Sequence, residues 1–216
     1  MDIIGISGSP IPHSNTDRLI QHILAHTGLD TEFIKLSQIN VRPCLGCKQC
    51  VKDNICKQED DFPALAKKIK SANALVIGAY TPYGQIDAFT KALLERFWSL
   101  RHVTHLLKGK LGVTVVTGLD PNIRKAVSQA MAGEMVIYEG MNLVDQIQTQ
   151  GNLPCLTCGR GDDCAQSGVS LLHGPHARCK NIPYLRAENQ DAAWEQAAAA
   201  GRAIAHTLAA KERPRP

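Results

Sequence analysis

Two apolar runs constrain this chain more than any other feature: ALVIGA at 74–79 and LGVTVVT at 111–117. Neither alternates polar with apolar residues, so each reads as a strand covered on both faces. DIIGI at 2–6 is a third such run, while TEFIKLS at 31–37 alternates and MNLVDQIQTQ at 141–150 carries several polar positions. Between the runs lie stretches with helical spacing. Ser14 offers an N-cap with Asp17 three residues on, ahead of Leu19, Ile20, Ile23 and Leu24. Asp60 or Asp61 would cap a helix with Pro63 in its first turn, and Asp87 one through DAFTKALLERFWSL. Residues 121–137 and an alanine-rich stretch at 188–210 complete the helices.

Strand and helix thus alternate five times, which predicts a doubly wound α/β fold with a five-stranded parallel sheet. The polar strands are the second and fifth, so the order 2-1-3-4-5 places them at the edges. With 216 residues, the chain is expected to form a single domain over 1–216. Two cysteine-rich loops, 43–60 and 151–186, would be inserted after strands two and five. Ligands of such sheets bind beyond the C-terminal strand ends near the switch in strand order. Both cysteine loops are expected to leave the sheet from that rim.

The net charge of +4 is mild and the basic residues are scattered, so no nucleic-acid partner is expected. No apolar stretch reaches bilayer length, and MDIIGIS lacks the marks of a signal peptide. A cytoplasmic setting with reduced thiols is the expectation. The terminal KERPRP reads as a solvated tail.

The loop SGSPIPHSNT at 7–16 joins a strand to a helix N-terminus and offers hydroxyls at Ser7, Ser9, Ser14 and Thr16 and an amide at Asn15. Free N–H groups and the helix dipole favour a phosphate there. Neither GxGxxG nor a P-loop ending in GK[ST] is present, which argues against ATP and a Rossmann cofactor at this loop. This stretch resembles the phosphate loop of the flavodoxin-like NAD(P)H-dependent FMN reductase superfamily. Thr81-Pro82-Tyr83-Gly84 followed by Ala88-Phe89-Thr90-Lys91 and Glu95-Arg96 resembles that family's second flavin loop and helix, and Thr117-Gly118 its third loop. The resemblance implies FMN as cofactor. Its phosphate would sit at Ser7, Ser9, Pro10, Ser14, Asn15 and Thr16, and its ring system against Thr81, Pro82, Tyr83, Gly84, Gln85, Thr117 and Gly118. Two departures stand out: the second loop is two residues shorter than usual, and Glu95 replaces an aspartate. Tyr80 and Tyr83 also suit packing at a strand end, and Trp98 suits the core or a subunit interface.

Eight cysteines fall into two groups of four. Cys44, Cys47, Cys50 and Cys56 are spaced C-x2-C-x2-C-x5-C. Structural zinc usually takes two C-x2-C pairs separated by a longer stretch. Three thiols at successive two-residue gaps, with a fourth nearby, follow the pattern of a [4Fe-4S] site. Zinc, or a motif that holds nothing, remains an alternative. The run resembles the compact motif of the iron–sulfur flavoproteins. That resemblance implies one [4Fe-4S] cluster and one FMN exchanging electrons within a homo-oligomer, a dimer or tetramer, often across the subunit interface. Arg42, Lys48, Lys52 and Lys57 would offset cluster charge, dock an acidic carrier such as ferredoxin, or be solvated.

The second group, Cys155, Cys158, Cys164 and Cys179, is spaced C-x2-C-x5-C-x14-C. It fits a second Fe–S cluster or a structural zinc that pins an irregular insertion, with His173 or His176 as substitute ligands. No triad or carboxylate pair is present, so no catalytic acid or base is named. The expected activity is that of an FMN-dependent electron-transfer oxidoreductase. The rivals are an NAD(P)H-dependent FMN or quinone reductase with zinc or vacant cysteine sites, and a non-enzymatic carrier or metal-binding module.

Overall fold

A computed structural model describes residues 2–212. Most of the KERPRP tail lies outside the described residues. Five parallel strands, β1 (Ile3–Ser7), β2 (Thr31–Lys35), β3 (Ala74–Tyr80), β4 (Leu111–Gly118) and β5 (Asn142–Gln150), pair in the order β2-β1-β3-β4-β5. This is the expected order. β1, β3 and β4 are buried almost throughout, whereas the edge strands keep partly exposed positions.

The helices are α1 (Asn15–Ala25), α2 (Phe62–Ser71), α3 (Ala88–Phe97), α4 (Pro121–Gly133), α5 (Gly168–His173) and α6 (Asp191–Glu212). One core packs α2, α3 and α4 against the sheet through Phe62, Ile69, Leu93, Phe97 and Met131. The other packs α1 and α6 through Ile20, Ile23, Ala197 and Ile204.

Local chemistry fixes the helix starts. Ser14 and Asp17 form a reciprocal capping box on α1, and Asp87 Oδ1 accepts from the Thr90 N–H on α3. At α2 the roles of two aspartates divide. Asp61 precedes the helix without capping it through its side chain and accepts from Asn40 N–H, while Asp60 accepts from Phe62 N–H. The predicted 121–137 helix ends as an α-helix at Gly133 and continues as a π-helical turn, Glu134–Tyr138. The final helix starts at Asp191 rather than 188, because a short 3-10 turn over Ala187–Asn189 precedes it. The short α5 lies inside the second insertion, where the sequence showed no apolar periodicity.

α3 starts at the rim, where Asp87 accepts from Tyr80 N–H at the end of β3, and its last turn packs beside the start of α2, with Arg96 over the Phe62 ring. At 1.5 Å per residue, Arg96 lies roughly 14 Å along the axis from Asp87.

Candidate functional site: a phosphate loop and two cysteine loops

The β1–α1 loop is built on a buried network. Ser7 Oγ donates to Asp17 Oδ1 at 2.6 Å, and Ser14 N–H donates to Asp17 Oδ2 at 3.2 Å. Lys35 Nζ reaches the same carboxylate at 2.5 Å and holds the Ile11 carbonyl at 2.8 Å. The strand register explains this reach, because Lys35 pairs with Ser7 across β1 and β2. Sequence reading assigned no cation to this loop. The alternating pattern of β2 put Lys35 on a half-exposed strand, and only strand pairing brings it beneath the loop.

Several expected phosphate ligands are occupied elsewhere. Thr16 and Thr117 pair their buried hydroxyls at 2.7 Å. Ser14 Oγ accepts from Asp17 N–H, and Ser9, which is buried, donates its N–H to Ser7 Oγ. The Asn15 amide donates to the carbonyls of Gln150 and Leu185 and accepts from Ala187 N–H. The Asn15 and Thr16 side chains thus bind other parts of the chain. The open donors are backbone groups: among the described residues, no hydrogen bond engages the N–H of Ile11, His13, Asn15 or Thr16. With the α1 dipole behind them, they fit a phosphate.

The other two loops converge beside the first. Gly8 N–H donates to Gly78 O, and a Cβ at Gly8 would overlap Thr90 Oγ1 and the Asp87 carboxylate. A Cβ at Gly118 would overlap Thr81 Oγ1. The glycines therefore let the three loops touch. Tyr83 is fully exposed with φ +50°, followed by Gly84 at φ +76° and an exposed Gln85. Full exposure rules out the packing role considered for Tyr83 and leaves an aromatic face free at the rim. Tyr80 is half-buried, and burial pushes its phenol up, with Asp87 adding to the shift. Arg124 was not anticipated: its guanidinium donates to the carbonyls of Gly118 and Leu119, and its Nε lacks a partner.

The first cysteine loop is anchored on the last turn of α3 and the segment after it. Residues 39–61 carry no helix or strand. Cys44, Cys47, Cys50 and Cys56 line one small pocket with Leu45, Lys48, Lys57, Gln58, Arg96, Trp98 and Ser99, and Cys47 is exposed. Three of these wall residues come from the last turn of α3 and the residues after it. Asn54, buried with φ +56°, clamps the loop to the segment after α3, donating to Thr104 O and accepting from Val103 N–H, each at 2.6 Å. The loop follows β2, and its cysteines gather at the last turn of α3. Trp98 is correspondingly half-exposed and walls this cavity, not the core.

Burial pushes the Cys50 thiol up, and the nearby thiols of Cys56, Cys44 and Cys47 push the same way against a backbone hydrogen bond. Arg96 is almost completely buried. Its Nη1 donates to Asp60 Oδ2 at 2.5 Å and to Arg42 O at 2.9 Å. Its Nη2 donates to Asp60 Oδ1 at 3.1 Å and to Cys56 Sγ at 3.3 Å. Burial would raise the Asp60 carboxyl, but Arg96 and the N–H groups of Arg42 and Phe62 outweigh it and hold it below the usual range. Of the basic residues nearby, Lys57 pairs with Asp53 and Arg42 binds Glu59 O, while Lys48 faces the cavity. Lys52 is exposed.

The second loop is more open. Cys158 and Cys164 are exposed, and Cys155 and Cys179 are half-buried. The Cys179 thiol is raised by burial, then by Asp162, Cys155 and Cys158, so those three sulfurs are neighbours. Cys155 Sγ accepts from Gly168 N–H at 3.3 Å. His173 and His176 are exposed. Asn152 exchanges two hydrogen bonds with Leu185, whose carbonyl also accepts from Asn15, so this loop is tied to the phosphate loop. Among the described residues, no three His, Cys, Asp or Glu side chains gather tightly enough to hold a single metal ion. Tetrahedral zinc needs such a gathering. A cubane cluster does not, because each thiolate binds a different iron and the sulfurs need only ring a cavity.

No described helix is long and apolar enough to cross a membrane. The chain is 37% identical over 125 residues to an iron-sulfur flavoprotein of Methanocaldococcus jannaschii, covering 56% of this chain and 64% of that protein. It is 28% identical over 163 residues to an iron-sulfur flavoprotein of Archaeoglobus fulgidus, covering 71% and 79%. The first match thus spans less than two thirds of that relative's length. An archaeal flavodoxin superposes with a TM-score of 0.50 at 13% identity, covering 97% of this chain and 99% of that one, which shows the shared fold. The family model for NADPH-dependent FMN reductases matches residues 1–148, and the chain belongs to that family.

Proposed function

We propose that this chain is an FMN-dependent oxidoreductase carrying a [4Fe-4S] cluster on Cys44, Cys47, Cys50 and Cys56. The observation behind this reading is the one small pocket that all four thiols line, walled by a buried arginine that donates to one of them. A bound cluster would supply one-electron steps and a bound FMN would join them to two-electron partners. The N–H groups of the β1–α1 loop bind the FMN phosphate, and Thr81–Gln85, Thr117 and Gly118 border its ring system. Within one chain these loops and the cysteine cavity lie at opposite ends of α3. That separation favours a homo-oligomer, a dimer or tetramer, in which a neighbour's cofactor lies nearer. Exposed Leu45, Val103, Ile137 and Tyr138 support such contacts. NAD(P)H or an electron-carrier protein such as ferredoxin is the partner, in a cytoplasmic setting.

On the second loop we place a second cluster or a structural metal held by Cys155, Cys158, Cys164 and Cys179. The rival is an NAD(P)H-dependent FMN or quinone reductase whose cysteines hold zinc or nothing; the lack of a tight metal-ion group among the described residues favours the vacant form of it. Anaerobic purification with iron, sulfide, zinc and flavin counts separates the two. Iron with acid-labile sulfide and FMN supports the cluster. FMN with NAD(P)H turnover and no iron supports the reductase.

A further inference from the structure

The wall of the first cysteine cavity contains a charge that the fold does not need there. Arg96 sits in the last turn of α3 between Glu95 and the buried Phe97, with its guanidinium over the Phe62 ring at 4.4 Å. Its side chain and that of Asp60 are both 0% exposed. A buried ion pair is weak as a stabilising device, because desolvating both charges offsets most of their attraction. This pair nevertheless has a definite aim. Asp60 and the Arg42 carbonyl take three of the guanidinium's N–H bonds and fix its plane. A fourth donor points at Cys56 Sγ at 3.3 Å, and Nε, also buried, has no partner. Among the described residues, Arg96 is the only arginine lining the cavity.

We propose that Arg96 sets the reduction potential of the centre held by Cys44, Cys47, Cys50 and Cys56, with Asp60 as the residue that positions it; this rests on the cluster reading above. A hydrogen bond to a ligating thiolate withdraws electron density from the sulfur and raises the potential. The Asp60 carboxylate offsets most of the guanidinium's charge, so this bond carries the effect. Low local dielectric strengthens it, and the Asp60 fork keeps the donor from turning away. Among the described residues, the donors to sulfurs of the second loop are uncharged backbone groups: Gly168 N–H to Cys155 Sγ and Arg160 N–H to Cys158 Sγ.

The test is an anaerobic redox titration followed by electron paramagnetic resonance, with iron and sulfide measured on each sample. Arg96→Lys keeps a cation but loses the fork, and the double variant Arg96→Gln with Asp60→Asn removes both charges together. Both are expected to retain iron and sulfide and to shift the midpoint to lower potential. Iron-loaded variants with an unshifted midpoint would overturn the role of Arg96 and leave the cluster standing. Wild-type protein without iron or sulfide would instead sink the cluster reading. A second measurement needs no variant: wild-type protein grown with guanidinium-15N arginine, reduced and examined by pulsed paramagnetic resonance. A 15N coupling to the cluster is expected, and its absence would overturn the proposal even if both variants fail to fold.

Discussion

The two cysteine loops carry the same number of thiols but are held differently. The first wraps the end of α3 and closes a cavity over a buried Arg96–Asp60 pair, with Cys50 only 6% exposed. The second stays beside the phosphate loop, tied through Asn152 and Asn15 to Leu185, and leaves Cys158 and Cys164 in solvent. Enclosure and proximity to the flavin loops are thus divided between them. A closed, charged wall suits a centre whose potential is tuned. An open loop at the rim suits a metal that pins the chain.

The largest effect that would sharpen this contrast comes from the buried pair. Asp60→Ala strands the Arg96 charge and should cost about 3–5 kcal/mol in chemical denaturation. Changing the exposed Asp162, which accepts from Cys179 N–H in the second loop, to Asn should leave the denaturation midpoint nearly unchanged. Equal losses would erase the distinction.

Next comes Glu139, which contacts Arg101 at 3.1 Å beside the segment that Asn54 clamps. Burial, opposed by Arg101 and aided by Glu134, raises its carboxyl to about 7. The folded state therefore holds a proton that the unfolded chain releases above the ordinary carboxyl range. Stability should fall as pH rises from about 4.5 to about 7 and then level, a loss of roughly 3 kcal/mol. Glu139→Gln should flatten that slope in denaturation curves taken across pH 4.5–8; an unchanged slope would assign it elsewhere.

A smaller comparison sets clamp against clamp. Asn54→Ala loses two hydrogen bonds and places alanine at φ +56°, for a cost of about 2–3 kcal/mol. Asn152→Ala loses two hydrogen bonds as well, and should cost about 1–2 kcal/mol by the same measurement. Proteolysis should then open the second loop first in wild-type protein.

Much of the scaffold was legible in the chain itself. Apolar β1, β3 and β4 had to be central, and Ser14, Asp17 and Asp87 announced their helix starts through local chemistry. The site was less legible because its groups are recruited across the sheet. Lys35 reads as an edge-strand residue until pairing sets it beside Ser7. Asn15 and Thr16 match a phosphate motif, yet their side chains serve Leu185 and Thr117 instead. Arg96 lay within a family-like helix, and nothing in its spacing foretold that a loop some forty residues earlier would fold over it. Cysteine spacing named the first group; only tertiary structure set its cavity against the last turn of α3.

The central claim is that the four thiols of the first loop hold an iron–sulfur centre. Its most direct test is the iron and acid-labile sulfide content of oxygen-protected wild-type protein against Cys50→Ser, each with its FMN count. The account predicts that the substitution removes about four irons and four sulfides per chain while FMN stays bound. Identical iron and sulfide in the two proteins, or neither in the wild type, would contradict it.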